Sequence, residues 1–254
     1  MILDSFRLDG RVALVTGAGQ GLGQGMSLGL AEAGADIVAL DRNPSEKTAE
    51  LVKQLGRRSS QVVCDLRTAS VADLQGVVAR VVAGMGRLDI LVNNAGIIRR
   101  EPALDFSEAN WDDVLQINLK AVFFLTQAAG KHMVAHGGGK VINVCSMLSF
   151  QGGVIVPSYT AAKSGLAGLT RAFANEWAKY KVNVNAVAPG YMATDNTAPL
   201  RADPVRSQSI MERIPAGRWG TPDDLKGLVV FLASPASDYM HGSIVPIDGG
   251  WLAR

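Results

Sequence analysis

Apolar residues along this chain fall into short unbroken runs, separated by longer stretches in which they recur every three or four positions. Arg11 to Thr16 (RVALVT), Ala35 to Leu40 (ADIVAL), Gln61 to Cys64, Leu88 to Val92 (LDILV), Lys140 to Cys145 (KVINVC), Asn183 to Val187 (NVNAV) and Ser243 to Ile247 are of the first kind. Runs this short, rich in β-branched residues and mostly apolar, predict strands covered on both faces. Between them, Met26 to Ala33, Ser45 to Gly56, Val71 to Ala83, Trp111 to His132, the stretch after Tyr159 and Asp223 to Leu232 read as helices. Ser158, just ahead of Tyr159 and an Ala-rich run, is the expected cap of the fifth helix. Repeated strand–helix alternation predicts an α/β fold, a single Rossmann-like doubly wound parallel sheet with helices on both faces. In such sheets ligands collect at the carboxyl ends of the strands. One catalytic, dinucleotide-binding domain over 1–254 is expected. The longest interruption, Tyr191 to Gly220, carries charges and prolines as a lid over that edge would.

Composition narrows the class. The chain has 254 residues, nearly half of them hydrophobic, 28 glycines and a formal net charge of only +2. That balance excludes a long disordered tail and a polybasic nucleic-acid face. The opening MILDSFRLDG has no basic segment followed by a long apolar core, and no apolar run approaches the ~20 residues of a membrane-spanning helix. A cytoplasmic protein with neither nucleic-acid nor membrane partner is the expectation. Cys64 and Cys145 close apolar runs and read as two buried small hydrophobes, with reduced thiols suited to the cytosol. His132 and His136 stand one helical turn apart without further ligands at suitable spacing, so no metal is assigned.

The candidate chemistry lies at the predicted strand ends. After the first strand comes Gly17-Ala-Gly-Gln20-Gly21-Leu22-Gly23, which fails the G-x-G-x-x-G fingerprint in every register. Its glycines still permit a tight turn and close approach to a pyrophosphate, whose charge would lie at a positive helix end. Asp41 ends the second strand at the distance where a dinucleotide fold places its ribose-binding acid; it would repel a 2′-phosphate and so favour NAD over NADP, while Arg42 could weaken that preference. Asp65 and Leu66 follow the third strand, where an adenine edge would lie. Asn93-Asn94-Ala95-Gly96 follows the fourth, with Arg99, Arg100 and Glu101 beyond it. Ser146 sits at the end of the fifth. Tyr159 and Lys163 lie one turn apart, so the ammonium is placed to favour the phenolate and lower a pKa that is ordinarily about 10. A Tyr and a Lys at this spacing also occur on ordinary amphipathic helices, and an Asn such as Asn118 is usually a core hydrogen bonder.

Thr16-Gly17-x-x-x-Gly21-x-Gly23, Asn93 to Gly96, Asn118, Ser146, Tyr159-x-x-x-Lys163 and Pro189-Gly190, taken in order, resemble the short-chain dehydrogenase/reductase family over essentially the whole chain. The resemblance implies that Tyr159 is the acid/base, that Lys163 binds the nicotinamide ribose and lowers the Tyr pKa, that Ser146 orients the reacting oxygen, and that Asn118 holds a water in a proton relay. It also implies a cofactor site of Gly17, Gln20, Gly21, Leu22, Gly23, Asp41, Asp65, Leu66, Asn93, Ala95, Gly96, Tyr159, Lys163, Pro189, Gly190, Met192 and Thr194, with NAD as cofactor. Ile98-Arg99-Arg100, Ser146 to Gly153, Asn175-Glu176-Trp177, Arg213 to Gly220 and the terminal DGGWLAR resemble the bacterial members that interconvert keto and hydroxy forms of deoxy sugar acids. These imply a homotetramer and a small sugar-acid substrate, for which Arg99, Arg100, Ser146, Gln151 and Arg218 are the candidate contacts. A 3-oxoacyl carrier-protein reductase, another polyol dehydrogenase and a catalytically idle NAD-sensing protein are the alternatives.

Overall fold

The computed structural model describes residues 1–253, the side chain of Asn196 apart. Seven strands form one sheet in the order β3-β2-β1-β4-β5-β6-β7, every neighbouring pair parallel. They are β1 (Val12–Thr16), β2 (Asp36–Asp41), β3 (Ser59–Val63), β4 (Ile90–Asn93), β5 (Gly139–Val144), β6 (Val182–Pro189) and β7 (Ile244–Ile247). Each predicted run corresponds to one of them within a few residues. The order reverses at β1 and β4, which opens a crevice at their carboxyl ends.

Alternate residues of each strand feed two separate cores. Val12, Leu14, Val38, Leu40 and Leu91 pack with α3 (Val71–Met85), α5 (Ala121–Ala135) and α6 (Pro157–Trp177). Ala13, Val15, Ile37, Ala39 and Val92 pack with α1 (Gly21–Glu32), α2 (Glu46–Gln54) and α9 (Pro222–Ala233) on the other face. Two apolar faces on one strand explain why β1 reads as an unbroken hydrophobic run rather than an alternating one.

Several boundaries depart from the sequence reading. Helix α1 begins at Gly21 rather than Met26, because its first turn is built from the glycines themselves. The long helix predicted from Trp111 starts three residues earlier, as α4 (Glu108–Leu115), and passes into α5 through a π turn over Gln116–Lys120. Ser158 does not cap α6. Val156 holds the cap position, Pro157 opens the helix, and the buried Ser158 hydroxyl has no partner. Proline's fixed φ and missing N–H suit the first helical position and replace the side-chain cap. Cys145 is buried as expected, but Cys64 is only half-buried, since β3 is the sheet's edge strand. The segment after β6 folds into α7 (Ala198–Ala202) and α8 (Pro204–Arg213), closed at its base by a bridge between Met192 and Gly220. Among the described residues no helix is long and apolar enough to cross a membrane, and no cluster of His, Cys, Asp and Glu could hold a metal ion.

Candidate active site

The turn between β1 and α1 takes its shape from two glycines in the left-handed region, Gly17 (φ 63°) and Gly21 (φ 56°). Gly23 is needed for space instead. A Cβ there would stand 2.0 Å from the Gly17 carbonyl oxygen, so any other residue would push the turn off the helix. Gln20, the N-cap, makes no side-chain cap bond, which leaves the first-turn N–H groups of α1 facing the crevice without a resident acceptor from the cap. This uncapped helix end beneath a glycine turn fits a pyrophosphate. Leu22 packs its half-buried side chain on the second core, and Thr194 lies over Gly21, its Cγ2 3.8 Å from where a Cβ would be.

Asp41 closes the same turn from β2. One of its oxygens accepts from the Gly19 N–H at 3.0 Å and the other from the Arg42 N–H at 2.8 Å, so the carboxylate is fixed against the glycine turn rather than swinging in solvent. Asp65 is exposed beyond β3 and accepts from the Arg67 N–H. Leu66, expected at the cofactor, has its side chain in the first core; only its backbone is available on that edge.

Asn93 is expected to form the backbone turn beside the cofactor. Its side chain is buried, donating to Thr126 Oγ1 (2.8 Å) and Asn143 Oδ1 (2.9 Å), while Asn143 donates to Thr170 Oγ1 (2.9 Å). The residue that holds the turn is Asn94, whose Nδ2 donates to the carbonyls of Thr16 (2.9 Å) and Gly17 (3.2 Å). Thr16 completes the clasp by accepting from the N–H groups of Asn94 and Ala95 through Oγ1, both at 2.9 Å. Neither residue was named as a site residue from sequence. The available signal was chemical: an amide beside a strand-ending Thr can bridge two chain segments whose backbone groups face each other unpaired. On the other side of this turn, Asn118 accepts from the Ile97 N–H and donates to the Ile97 carbonyl, both at 2.9 Å, and a Cβ on Gly96 would lie 3.3 Å from Asn118 Oδ1. The π turn gives Asn118 this inward position in a helix whose neighbouring residues are largely apolar.

Ser146 follows β5 with an extended φ of −161°, and its hydroxyl accepts from the Leu148 N–H at 3.2 Å. Ser149 Oγ donates to the Lys163 carbonyl (2.8 Å) and Ser164 Oγ to the Leu148 carbonyl (3.2 Å), so this turn and the first turns of α6 are stitched together. That stitching sets Tyr159 and Lys163 opposite Ser146. Burial pushes the Tyr159 phenol up to about 12, opposed by the Ser146 hydroxyl; the Cys145 thiol pushes the same way as burial, and the Arg100 charge pulls down. Burial lowers Lys163 to about 8, with Cys145 opposing. Lys163 is not among the influences on the phenol. Its Nζ donates to the Val144 carbonyl at 2.6 Å and sits 5.6 Å from the Tyr159 ring centre.

Gly190 approaches β7 so closely that a Cβ would fall 2.6 Å from Asp248 Cα, and Pro189 ends β6 in the sheet. Met192 is buried against Gly220. Gln151 lies half-buried at the end of the Ser146 turn, its N–H bonded to the Met147 carbonyl. Of the substrate candidates, Arg218 is committed to Asp224 through two contacts of 2.7 Å, and Arg99 to Asp113 at 3.1 Å. Arg100 is exposed and has no ion pair among the described residues.

Residues 11–205 match the model of the short chain dehydrogenase family. A 2-dehydro-3-deoxy-D-gluconate 5-dehydrogenase of Escherichia coli is 60% identical over 255 residues, covering 100% of each chain. An Agrobacterium tumefaciens protein solved with bound NADP is 52% identical, with a TM-score of 0.92 over 99% of this chain and 100% of that one. A gluconate 5-dehydrogenase of Burkholderia cenocepacia, solved with NADP and tartrate, is 41% identical with a TM-score of 0.95 over 100% of both chains.

Proposed function

Because this chain belongs to the short-chain dehydrogenase family, an oxidoreductase family acting on CH–OH groups with nicotinamide cofactors, we propose that it interconverts the keto and hydroxy forms of a deoxy sugar acid of the 2-dehydro-3-deoxy-D-gluconate type, with NAD(H) preferred. The observation that carries this reading is the convergence of the buried Ser146 and Lys163 with the half-buried Tyr159, set beside a glycine turn that fits a pyrophosphate. The E. coli relative's name supports the substrate class. An idle sensor would have no use for a phenol brought together with a buried serine and a buried lysine.

A bound dinucleotide would supply or accept the hydride. The chain's own residues do the rest. Gly17, Gly21 and Gly23 with the α1 N-terminus would hold its phosphates, and Asp41 would accept from its ribose hydroxyls. Ser146 donates to the reacting oxygen, Tyr159 gives its proton to a keto oxygen or takes one from an alcohol, and Lys163 holds the nicotinamide ribose. Asn118, tied to Ile97, would hold a water in a proton relay. Residues 191–220 cover the substrate. A homotetramer accompanies this assignment, and the cytoplasm is its proposed location.

NAD preference rests on Asp41. A 2′-phosphate would meet a carboxylate whose two oxygens are already fixed by backbone N–H groups, so it could not turn away. The exposed Arg42 beside it makes the preference graded rather than absolute. The test is a panel of 2-dehydro-3-deoxy-D-gluconate, gluconate, simple polyols and a 3-oxoacyl thioester, each with NAD(H) and NADP(H). The deoxy sugar acid with NAD(H) should give the highest kcat/KM, and Asp41→Ala should narrow the cofactor ratio by about 10- to 100-fold. A wild type that prefers the thioester, or NADPH, defeats the corresponding half of the assignment.

A further inference from the structure

We propose that Trp251 fastens the substrate-covering segment 191–220 over the Ser146 turn, and that its indole N–H, left without a partner when the segment is down, keeps the closure reversible. The proposal rests on the reading above that 191–220 covers the substrate, and adds to it the residue that holds the cover in place.

The chain brings Trp251 to the segment through a turn that only glycines fit. Beyond β7, Asp248 shapes the tail by accepting from the Gly250 N–H through one oxygen and from the Leu252 N–H through the other, both at 2.9 Å. Gly249 (φ 66°) and Gly250 (φ 89°) are left-handed, and a Cβ on them would stand 2.8 Å from Ile214 Cγ2 and 3.0 Å from Pro215 Cγ. The tail therefore lies flush against the chain just past α8, where the Ala216 N–H donates to the Gly249 carbonyl at 2.9 Å.

This contact sets up a cluster separate from the two main cores of the sheet. Trp251, Met147, Ile210 and Ile214 are buried together, with Tyr191 and Trp219 packed against them. The Tyr191 ring lies 4.8 Å from that of Trp251 at 60° and 5.4 Å from that of Trp219 at 82°, edge-on geometries that aromatic pairs favour. Arg213, the last residue of α8, places its guanidinium 4.0 Å from the Trp251 ring centre. Tyr191 and Trp219 stand at the two ends of the segment, Ile210 is the buried residue of α8, and Met147 directly follows Ser146. One indole from outside the segment thus joins its two ends, its longer helix and the catalytic turn.

The packing is incomplete in one respect. Trp251 Nε1 is buried and has no hydrogen-bond partner among the described residues. A buried tryptophan ordinarily finds an acceptor, and an N–H shut away from both water and protein is costly. Lifting the segment would return it to water. Closure is therefore weaker than its apolar contacts alone would make it, which suits a cover that has to open in every turnover.

The experiment follows amide hydrogen exchange over α8 (204–213), with α3 (71–85) as the reference, alongside steady-state kinetics and sedimentation. It compares wild type, Trp251→Ala, and a protein in which nonsense suppression replaces Trp251 by its benzothiophene analogue, which keeps the bicyclic shape and has sulfur where the N–H was. Trp251→Ala should speed exchange in α8 at least about tenfold and raise KM for 2-dehydro-3-deoxy-D-gluconate about 10- to 100-fold, with kcat changed far less. The analogue should slow exchange in α8 by about 5- to 100-fold, and α3 should be unaffected in both. Unchanged α8 exchange in Trp251→Ala, exchange in the analogue no slower than in wild type, or equal acceleration of α3 would each overturn the proposal. So would a smaller assembly in Trp251→Ala, which would give the tail to subunit contact instead. Failure of the covering reading is visible in wild type alone, where 2-dehydro-3-deoxy-D-gluconate with NADH would then leave α8 unprotected.

Discussion

Replacing Lys163 by Met should change how the stability of the cofactor-free protein depends on pH. The ammonium of Lys163 is 3% exposed and its pKa falls from 10.5 to about 8 on folding, because burial penalises the charged form. Between those two values the unfolded chain carries a proton that the folded chain does not, so stability rises with pH across that window. Below it the full penalty of a buried charge is present, about 3 kcal/mol at pH 7, of which about 2.5 kcal/mol is relieved by pH 10. Methionine has no such dependence. It also abandons the bond to the Val144 carbonyl, but that loss is the same at every pH and shifts the variant's curve without tilting it. Urea unfolding of both proteins without cofactor, at one protein concentration and in steps from pH 7 to pH 10, isolates the effect: wild-type stability minus variant stability should climb by about 2.5 kcal/mol. Parallel curves would refute the argument, since they would mean that Lys163 keeps its ordinary affinity for the proton when folded.

Two further outcomes follow from the same geometry. Tyr159→Phe keeps the ring but removes the proton donor, so cofactor binding should persist while turnover falls about 10²- to 10⁴-fold when chemistry limits the rate, a split that fluorescence titration and steady-state kinetics together reveal. Gly23→Ala brings a methyl to within bonding range of the Gly17 carbonyl; it should lower the thermal midpoint by several degrees and weaken cofactor binding at least about tenfold, whereas an unaltered dissociation constant would show the turn to be dispensable.

The strands and the order of the motifs were legible in the sequence because each depends on local composition. A run such as RVALVT can bury both faces only in a covered sheet, and β1 does so. What escaped was set by contacts distant in sequence. Asn93 and Asn94 are chemically identical neighbours; only the alternation of a strand sends one side chain toward Thr126 and Asn143 and the other to the glycine turn. Likewise the four-residue spacing of Tyr159 and Lys163 predicts proximity but not desolvation. The outcome at the phenol depends on how deeply α6 is sunk against β5, and that is a property of the whole sheet. Arg99 and Arg100 are equally cationic on paper. Asp113, fourteen residues further on, distinguishes them.

The π turn between α4 and α5 has a consequence for how the chain can vary in length. An N–H reaching back five residues instead of four, as the Ala121 N–H does to Gln116, means that the segment holds one residue more than a regular helix would use. Removing any single residue from 116–120 would let an uninterrupted α-helix close across the gap, so the lesion would be gentle on backbone hydrogen bonding. It would, however, change which residues within the turn face inward and take the side chain at Asn118 off Ile97. Here a deletion that a folding screen would pass can still disconnect the chemistry, and a surplus residue is what presents Asn118 to the site.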